Sequence, residues 1–544
     1  MKRTAVLSTL ALLTAALTVT TAQAAEPQHP FTVVRTLQWG SFNLNPFTPN
    51  DQHLPPTLSA IYETLFFVNN LNGKVTNVLG TKYRWSKDNL TLTVNTRDGV
   101  KWNDGKAFSA NDVEFTFNYL KKHNLSSIWS SGLTSVTATN DNTVVFKFKE
   151  PNAPIFPFIA TQAIVPEHIW SKVQNPTQET NQKAVGTGPF IFDSYSQQAL
   201  RVLKNPNYWM KDKPYIDAIV WLPTNGNDAA LLKMLKAEGD FSYIGLTDPR
   251  AQYASKGKNN TYWWPVNSTN FLYFNNAKAP FSDVAFRRAI AQGINTDEAA
   301  LKAYAGVLKG ADVSAVIPAQ KKVWFPTTPG DLDLKFDPAA ADRALTAAGY
   351  KKDSNGRRLG KDGKPLPTFR ILVGAGWTDY ITLAQVVSDN LEVLGINSTV
   401  DQQAFSGYIT EFQTGTYDMG VSWSWGTGPS PYYLFYQSFH PNNTAPVGQT
   451  SPSNLTRYTN PVVTKALDEF RATSNAAAQK KALATAVTQV MKDLPWLPLT
   501  DRSQFGIFNT TRFTNFPSDK NPYYDGNVDD QAGTRLLFLN VKPR

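Results

Sequence analysis

Apolar residues in this chain follow two periods, and the two alternate along its length. Leu90-Thr91-Leu92-Thr93-Val94 and Val144-Val145-Phe146-Lys147-Phe148 place every second side chain on one face, the pattern of half-buried strands. Elsewhere the spacing is helical: Leu383, Val386, Val387, Leu391 and Leu394 form one apolar stripe that Gly395 closes. Ser109, with Asp112 three residues on, predicts a capped helix carrying Val113, Phe117 and Leu120. Asp337-Pro338 sets a capping carboxylate before a proline at the first helical position. Ala341, Leu345 and Ala348 follow on one face, and Gly349 ends that helix. Strands alternating with helices predict an α/β architecture.

The N-terminus breaks this alternation. Lys2 and Arg3 precede an apolar stretch from Ala5 to Val19, and Ala22-Gln23-Ala24 follows with small-x-small spacing. That is the pattern of a cleaved export signal over residues 1–24. The stretch is short for a bilayer span, and no later segment has about 20 uninterrupted apolar residues. About 520 residues remain after cleavage, which is too many for one compact core and predicts two or three domains.

Composition narrows the chemistry. There is no cysteine, so disulfides, thiolate catalysis, Cys-ligated metal and a lipid-attachment cysteine are all excluded. The expected location is therefore free in a periplasm. The formal net charge of +10, or +8 without Lys2 and Arg3, is scattered and forms no basic block, so nucleic acid is not an expected partner. No Gly-x-Ser-x-Gly elbow or His-Glu-x-x-His motif occurs, and the five histidines lie far apart. No catalytic residue, metal or cofactor is expected. With 14 Trp and 21 Tyr, however, the chain is rich in side chains that stack on a ligand.

Several blocks resemble the family 5 solute-binding proteins of ABC importers, which bind dipeptides, oligopeptides and oligosaccharides. Arg97-Asp98-Gly99-Val100-Lys101-Trp102-Asn103-Asp104-Gly105, continuing to Phe108-Ser109-Ala110-Asn111-Asp112-Val113, carries the most recognisable likeness. Ile164 to His168, Gly186-Thr187-Gly188-Pro189-Phe190, Asn205 to Trp209 and Pro214 to Asp217 continue it in order. Pro280 to Asp283, Phe286 to Ile290 and Phe336 to Tyr350 complete the series. The resemblance implies a two-lobe, type II periplasmic-binding-protein-like fold with an extra inserted subdomain and a ligand cleft between the lobes. On that pattern the first lobe comprises residues 25–69, 189–291 and 513–544, the inserted subdomain 70–188 and the second lobe 292–512. The hinge crossings then fall near residues 290 and 512. Gly186 and Gly188 are expected in a tight crossover between lobes that uses positive φ.

The resemblance also implies a small-molecule ligand, membrane permease subunits as partners, and a monomer. In peptide-binding members an aspartate after the strand near residue 421 pairs with the peptide ammonium, and burying an unpaired ammonium is costly. Here Trp423 to Tyr436 contains no acidic residue. It offers Trp423, Trp425 and Tyr432, whose rings suit the apolar face of a pyranose. Trp39 and Asn43 after the first strand, Trp264, Asn275, and Trp377 in Gly374-Ala375-Gly376-Trp377 complete the candidate ligand-binding set. An oligosaccharide is the expected ligand. An oligopeptide, with a carboxylate such as Asp51 replacing the missing one, is the alternative.

Overall fold

The computed structural model describes residues 27–544 except 37, 49–52, 127, 326–333, 425–427 and 527–530. The expected export signal, Asp51 and Trp425 lie outside the described residues. Among the described residues no helix is long and apolar enough to cross a membrane.

Two mixed sheets form the main body. The first has seven strands, in the order Asn260–Trp263, Gly506–Asn509, Phe241–Tyr243, Pro30–Arg35, Ala218–Pro223, Leu200–Lys204 and Phe190–Tyr195. The second has five, in the order Ser398–Gln403, Phe369–Gly374, Met419–Trp423, Val266–Phe274 and Trp496–Ser503. Each sheet has a parallel centre. Pro30–Arg35 runs parallel to both of its neighbours, as does Phe369–Gly374. A separate four-stranded antiparallel sheet spans residues 80–148 and has its own core around Leu92, Val94, Trp102, Phe117 and Phe146. Helix Ala110–Lys122 covers it, and its start is the expected capping box: Ser109 Oγ accepts from Asn111 N, and Asp112 accepts from Ser109 N at 3.0 Å. Asp337 likewise caps Pro338–Ala347, and Gly349 ends it at φ +96°.

The chain passes between the two main sheets twice, and neither passage lies where the sequence placed it. Strand Val266–Phe274 pairs with Met419–Trp423 and Trp496–Ser503, so the first passage is at residues 264 and 265 and not near 290. Gly506–Asn509 pairs with Phe241–Tyr243 and Asn260–Trp263, so the return is at residues 504 and 505 and not near 512. Helix Val284–Gln292, assigned from sequence to the first lobe, buries Phe286, Ala289 and Ile290 against Leu272, Ile371 and Val373 of the five-stranded sheet.

Gly186 and Gly188 also serve a different need. Neither adopts positive φ. A Cβ at Gly186 would sit 2.0 Å from the Ile61 carbonyl oxygen, and one at Gly188 would sit 2.3 Å from that of Ala60. Gly188 N donates to Ile61 O at 2.8 Å, so two backbones touch directly beside the turn Thr57–Ile61. Nearby, the buried Glu63 carboxylate pairs with Arg535 of helix Gln531–Asn540. It also accepts from Tyr208 Oη at 2.8 Å and Trp209 Nε1 at 2.9 Å, which fixes the C-terminal helix to the first lobe.

Because Gly188 meets backbone and not a movable side chain, Gly188→Ala should lower the thermal midpoint by roughly 5 °C or more. Gly99→Ala should do less, since its turn has open space around the Cα and only the φ of +71° resists. Differential scanning calorimetry of both variants checks the order, and equal shifts would contradict the close-contact account.

Candidate functional site

Where the two main sheets face each other, the carboxyl ends of their parallel strands leave a cavity of about 330 Å³. Open α/β sheets bind ligands at such ends, where the chain turns away and frees backbone and side chains. Residues 245–247 follow strand Phe241–Tyr243, residues 376–380 follow Phe369–Gly374, and Trp423 ends Met419–Trp423. Asn227 and Tyr243 from the first sheet's side, and Tyr304, Arg502 and Phe505, complete most of the wall.

The loop before helix Thr378–Val393 is built around an indole. A Cβ on Gly374 would lie 2.4 Å from the Trp377 ring, so the missing side chain lets the ring lie across the strand end. Gly376 at φ +78° turns the chain back. Trp377 then stands 5.7 Å from Trp423, ring centre to ring centre, and packs edge-on against Tyr408 and Tyr380. Tyr273 Oη donates to the Trp423 carbonyl at 3.0 Å and steadies that strand end.

Behind the rings runs a polar chain. Buried Asn270 donates through Nδ2 to Tyr304 Oη at 2.9 Å and to Thr500 Oγ1 at 3.0 Å, and accepts from Tyr380 Oη at 2.9 Å. Tyr304 Oη in turn donates to Asp379 at 3.0 Å. Arg502 donates to Ser268 Oγ at 3.3 Å, and among the described residues no carboxylate oxygen lies within 4.0 Å of its guanidinium. Burial raises the pKa of Asp379. The Tyr304 hydrogen bond and the charge of Arg502 oppose that rise without cancelling it. The cavity wall thus carries one carboxylate and one guanidinium, with a net charge of zero, among aromatic rings and hydroxyls.

Of the residues singled out from sequence, the structure brings Trp377 and Trp423 together on this cavity. Trp264 lies one layer back, edge-on to Phe505 at 5.0 Å, with its buried Nε1 unpartnered among the described residues. The others do not line it. Trp39 is buried, with Nε1 donating to Ser196 O at 3.0 Å. Asn43 braces its own loop through Thr48 Oγ1 and Asn45 N. Asn275 donates to both Gly415 O and Tyr417 O at 2.8 Å and so closes a scaffold loop. Tyr432 stacks on Phe470 at 4.4 Å inside the second lobe's helical layer. Sequence reasoning missed Tyr304, Asp379, Tyr380 and Arg502. Asp379 and Tyr380 adjoin Trp377 and were within reach of the same strand-end argument, whereas Tyr304 and Arg502 carry no local signal.

The model for bacterial extracellular solute-binding proteins, family 5 (middle) matches residues 74–446. The oligopeptide-binding protein AppA of Bacillus subtilis is 27% identical over 367 residues, covering 64% of this chain and 65% of AppA. A periplasmic oligopeptide-binding protein of an oligopeptide ABC transporter from Thermotoga maritima superposes with a TM-score of 0.87 at 27% identity, covering 95% of this chain and 99% of that one. Its mannohexaose-bound structure gives a TM-score of 0.79 over the same shares.

An ionised, desolvated Asp379 costs the unliganded protein stability. Its folded pKa lies above its unfolded value, so that cost is absent at low pH and appears as pH rises through the folded pKa. Asp379→Asn should therefore raise the thermal midpoint of the ligand-free protein at pH 7. The gain should shrink as pH falls toward about 4. Calorimetry at the two pH values decides it, and a gain independent of pH would show that desolvation of the carboxylate is not the cause.

Proposed function

The chain belongs to family 5 of the bacterial extracellular solute-binding proteins, and from that premise we propose that it captures an oligosaccharide between its lobes for an ABC importer. It acts outside the cytoplasmic membrane, in the periplasm, as a monomer without catalytic activity, and hands its cargo to the membrane permease. The observation that carries the reading is the Trp377–Trp423 pair on an electrically neutral cavity. Indole faces stack on the C–H face of a pyranose, while Asp379, Arg502, Asn227 and the tyrosine hydroxyls supply donors and acceptors for its hydroxyl rim.

A peptide is the second reading, favoured by the oligopeptide-binding relatives and by Asp379 itself. Asp379 is the carboxylate on this wall, and a peptide ammonium would seek it. Arg502 weighs against this. Its charge already favours ionisation of Asp379, so an arriving ammonium meets a repelling cation beside its partner. A neutral, hydroxyl-rich ligand avoids that conflict. The Thermotoga relative, an oligopeptide-transporter binding protein with mannohexaose bound, gives independent support for sugar capture on this scaffold. The two short passages at 264–265 and 504–505 suit a hinge about which the lobes close on the ligand.

Denaturing the purified protein and weighing the released small molecule should yield a hexose or pentose oligomer, and a peptide mixture would reverse the assignment. With that ligand, Trp377→Ala and Trp423→Ala should each weaken binding by about 1–3 kcal/mol, or roughly 5–150-fold, in titration calorimetry. Unchanged affinity in both would move the pair into the core. Trp39→Phe should bind as the parent does.

A further inference from the structure

The cleft is not symmetric. From Arg502, the hydroxyl of Ser268 leads to a second pocket of only about 20 Å³, lined by Thr269, Ser424, Gln320 and Ser430. That is room for one water molecule. Beyond it the two halves touch. Gln320 Nε2 donates to Asn70 O at 3.2 Å, and Tyr433 Oη donates to Pro154 O at 2.8 Å. Arg471 pairs with Glu150 at 2.9 Å. Those contacts join the second lobe to the unit that holds the four-stranded sheet, and among the described residues they narrow this end of the cleft.

The opposite end differs. Gly376, Thr378 and Thr247 line the cavity there and are exposed. Phe405, at the start of helix Phe405–Thr414, stands 6.0 Å from Trp377 and is 59% exposed, among the largest exposures of any big apolar side chain described. Trp423, Trp377 and Phe405 therefore form one aromatic row that runs from the closed end out to solvent. Phe405 stands outside the cavity wall but next to Trp377, where its exposed ring is free to stack on a ligand unit that leaves the cavity.

We propose that the ligand enters end first, with its two leading units on Trp423 and Trp377, and that Phe405 is a further subsite stacking the third unit at the mouth. This rests on the oligosaccharide reading and adds polarity and length to it. The enclosed volume, at the low end for ligand pockets, holds roughly two units. Units beyond the one on Phe405 lie in solvent and add nothing to the affinity.

The test uses the full chain and two ladders, β-1,4-linked manno-oligosaccharides and alanine peptides, each of two to six units, in titration calorimetry. Affinity for the sugars should rise from two units to three and then stay level. Phe405→Ala, an exposed change that leaves the fold intact, should cut affinity about 5-fold for three units and longer while leaving two-unit affinity within 2-fold. A tenfold or larger rise between three and six units, or an equal loss at every length in Phe405→Ala, overturns the end-first subsite with the oligosaccharide reading intact. Binding of the peptide ladder alone overturns that reading itself, and the subsite falls with it.

Discussion

Everything in this molecule that bears on a ligand depends on two chain segments, each of which serves both main sheets. Residues 260–274 supply a strand to the first sheet, two linking residues, then a strand to the second. Residues 496–509 do the same in the opposite direction. Within each sheet, strands from these two segments pair with each other. The two linkers therefore run side by side, and their short length ties the sheets together at one edge. Both linkers are also joined to the cavity. Phe505 lines it directly, and Trp264 packs edge-on against Phe505. Any rotation of one lobe about these linkers changes the wall on which a ligand would rest.

The cavity's chemistry follows from that placement. Strand ends from both sheets converge on one space, so each lobe brings part of the polar set. Asn227 and Tyr243 come from one side, and Tyr304, Asp379, Tyr380 and Arg502 from the other. Asn270 holds the second group in register because it sits midway along the strand entering the second sheet and bonds three partners at once. A fully hydrogen-bonded buried amide of this kind fixes rotamers and costs little. The desolvated carboxylate of Asp379 does cost stability, which is the usual price of a group kept ready for a ligand.

Local signals were the legible part of this structure. The capping box at Ser109, the Asp337 cap and the helix-ending Gly349 and Gly395 appear where short-range stereochemistry requires them. Trp377 was legible because two glycines and a strand precede it, and Trp423 because it ends a strand. Asn275 and Asn270 lie five residues apart on or beside one strand and look alike in sequence. Only strand pairing shows that the first caps a loop with two carbonyls and the second faces the site's tyrosines. Arg502 and Tyr304 meet across nearly two hundred residues, a proximity that no local pattern encodes. The hinge positions were misread for the same reason, since helix Val284–Gln292 declares an amphipathic face without saying which sheet it will cover.

The contacts at the closed end set how firmly the lobes are held when the cavity is empty. Arg471–Glu150 is a surface pair, 25% and 53% exposed at its two side chains, and pairs of that kind contribute about 0.2–1 kcal/mol. Tyr433 to Pro154 is one neutral hydrogen bond, worth about 1 kcal/mol net. Gln320 adds one more. Summed, these contacts amount to only a few kcal/mol, of the order by which two conformations of a binding protein normally differ. A ligand that stacks on Trp377 and Trp423 from one lobe while reaching Asn227 or Tyr243 of the other makes its full set of contacts only when both walls are present. If the lobes close on a ligand as proposed, a seam this weak leaves the decision to the aromatic row and not to the latch.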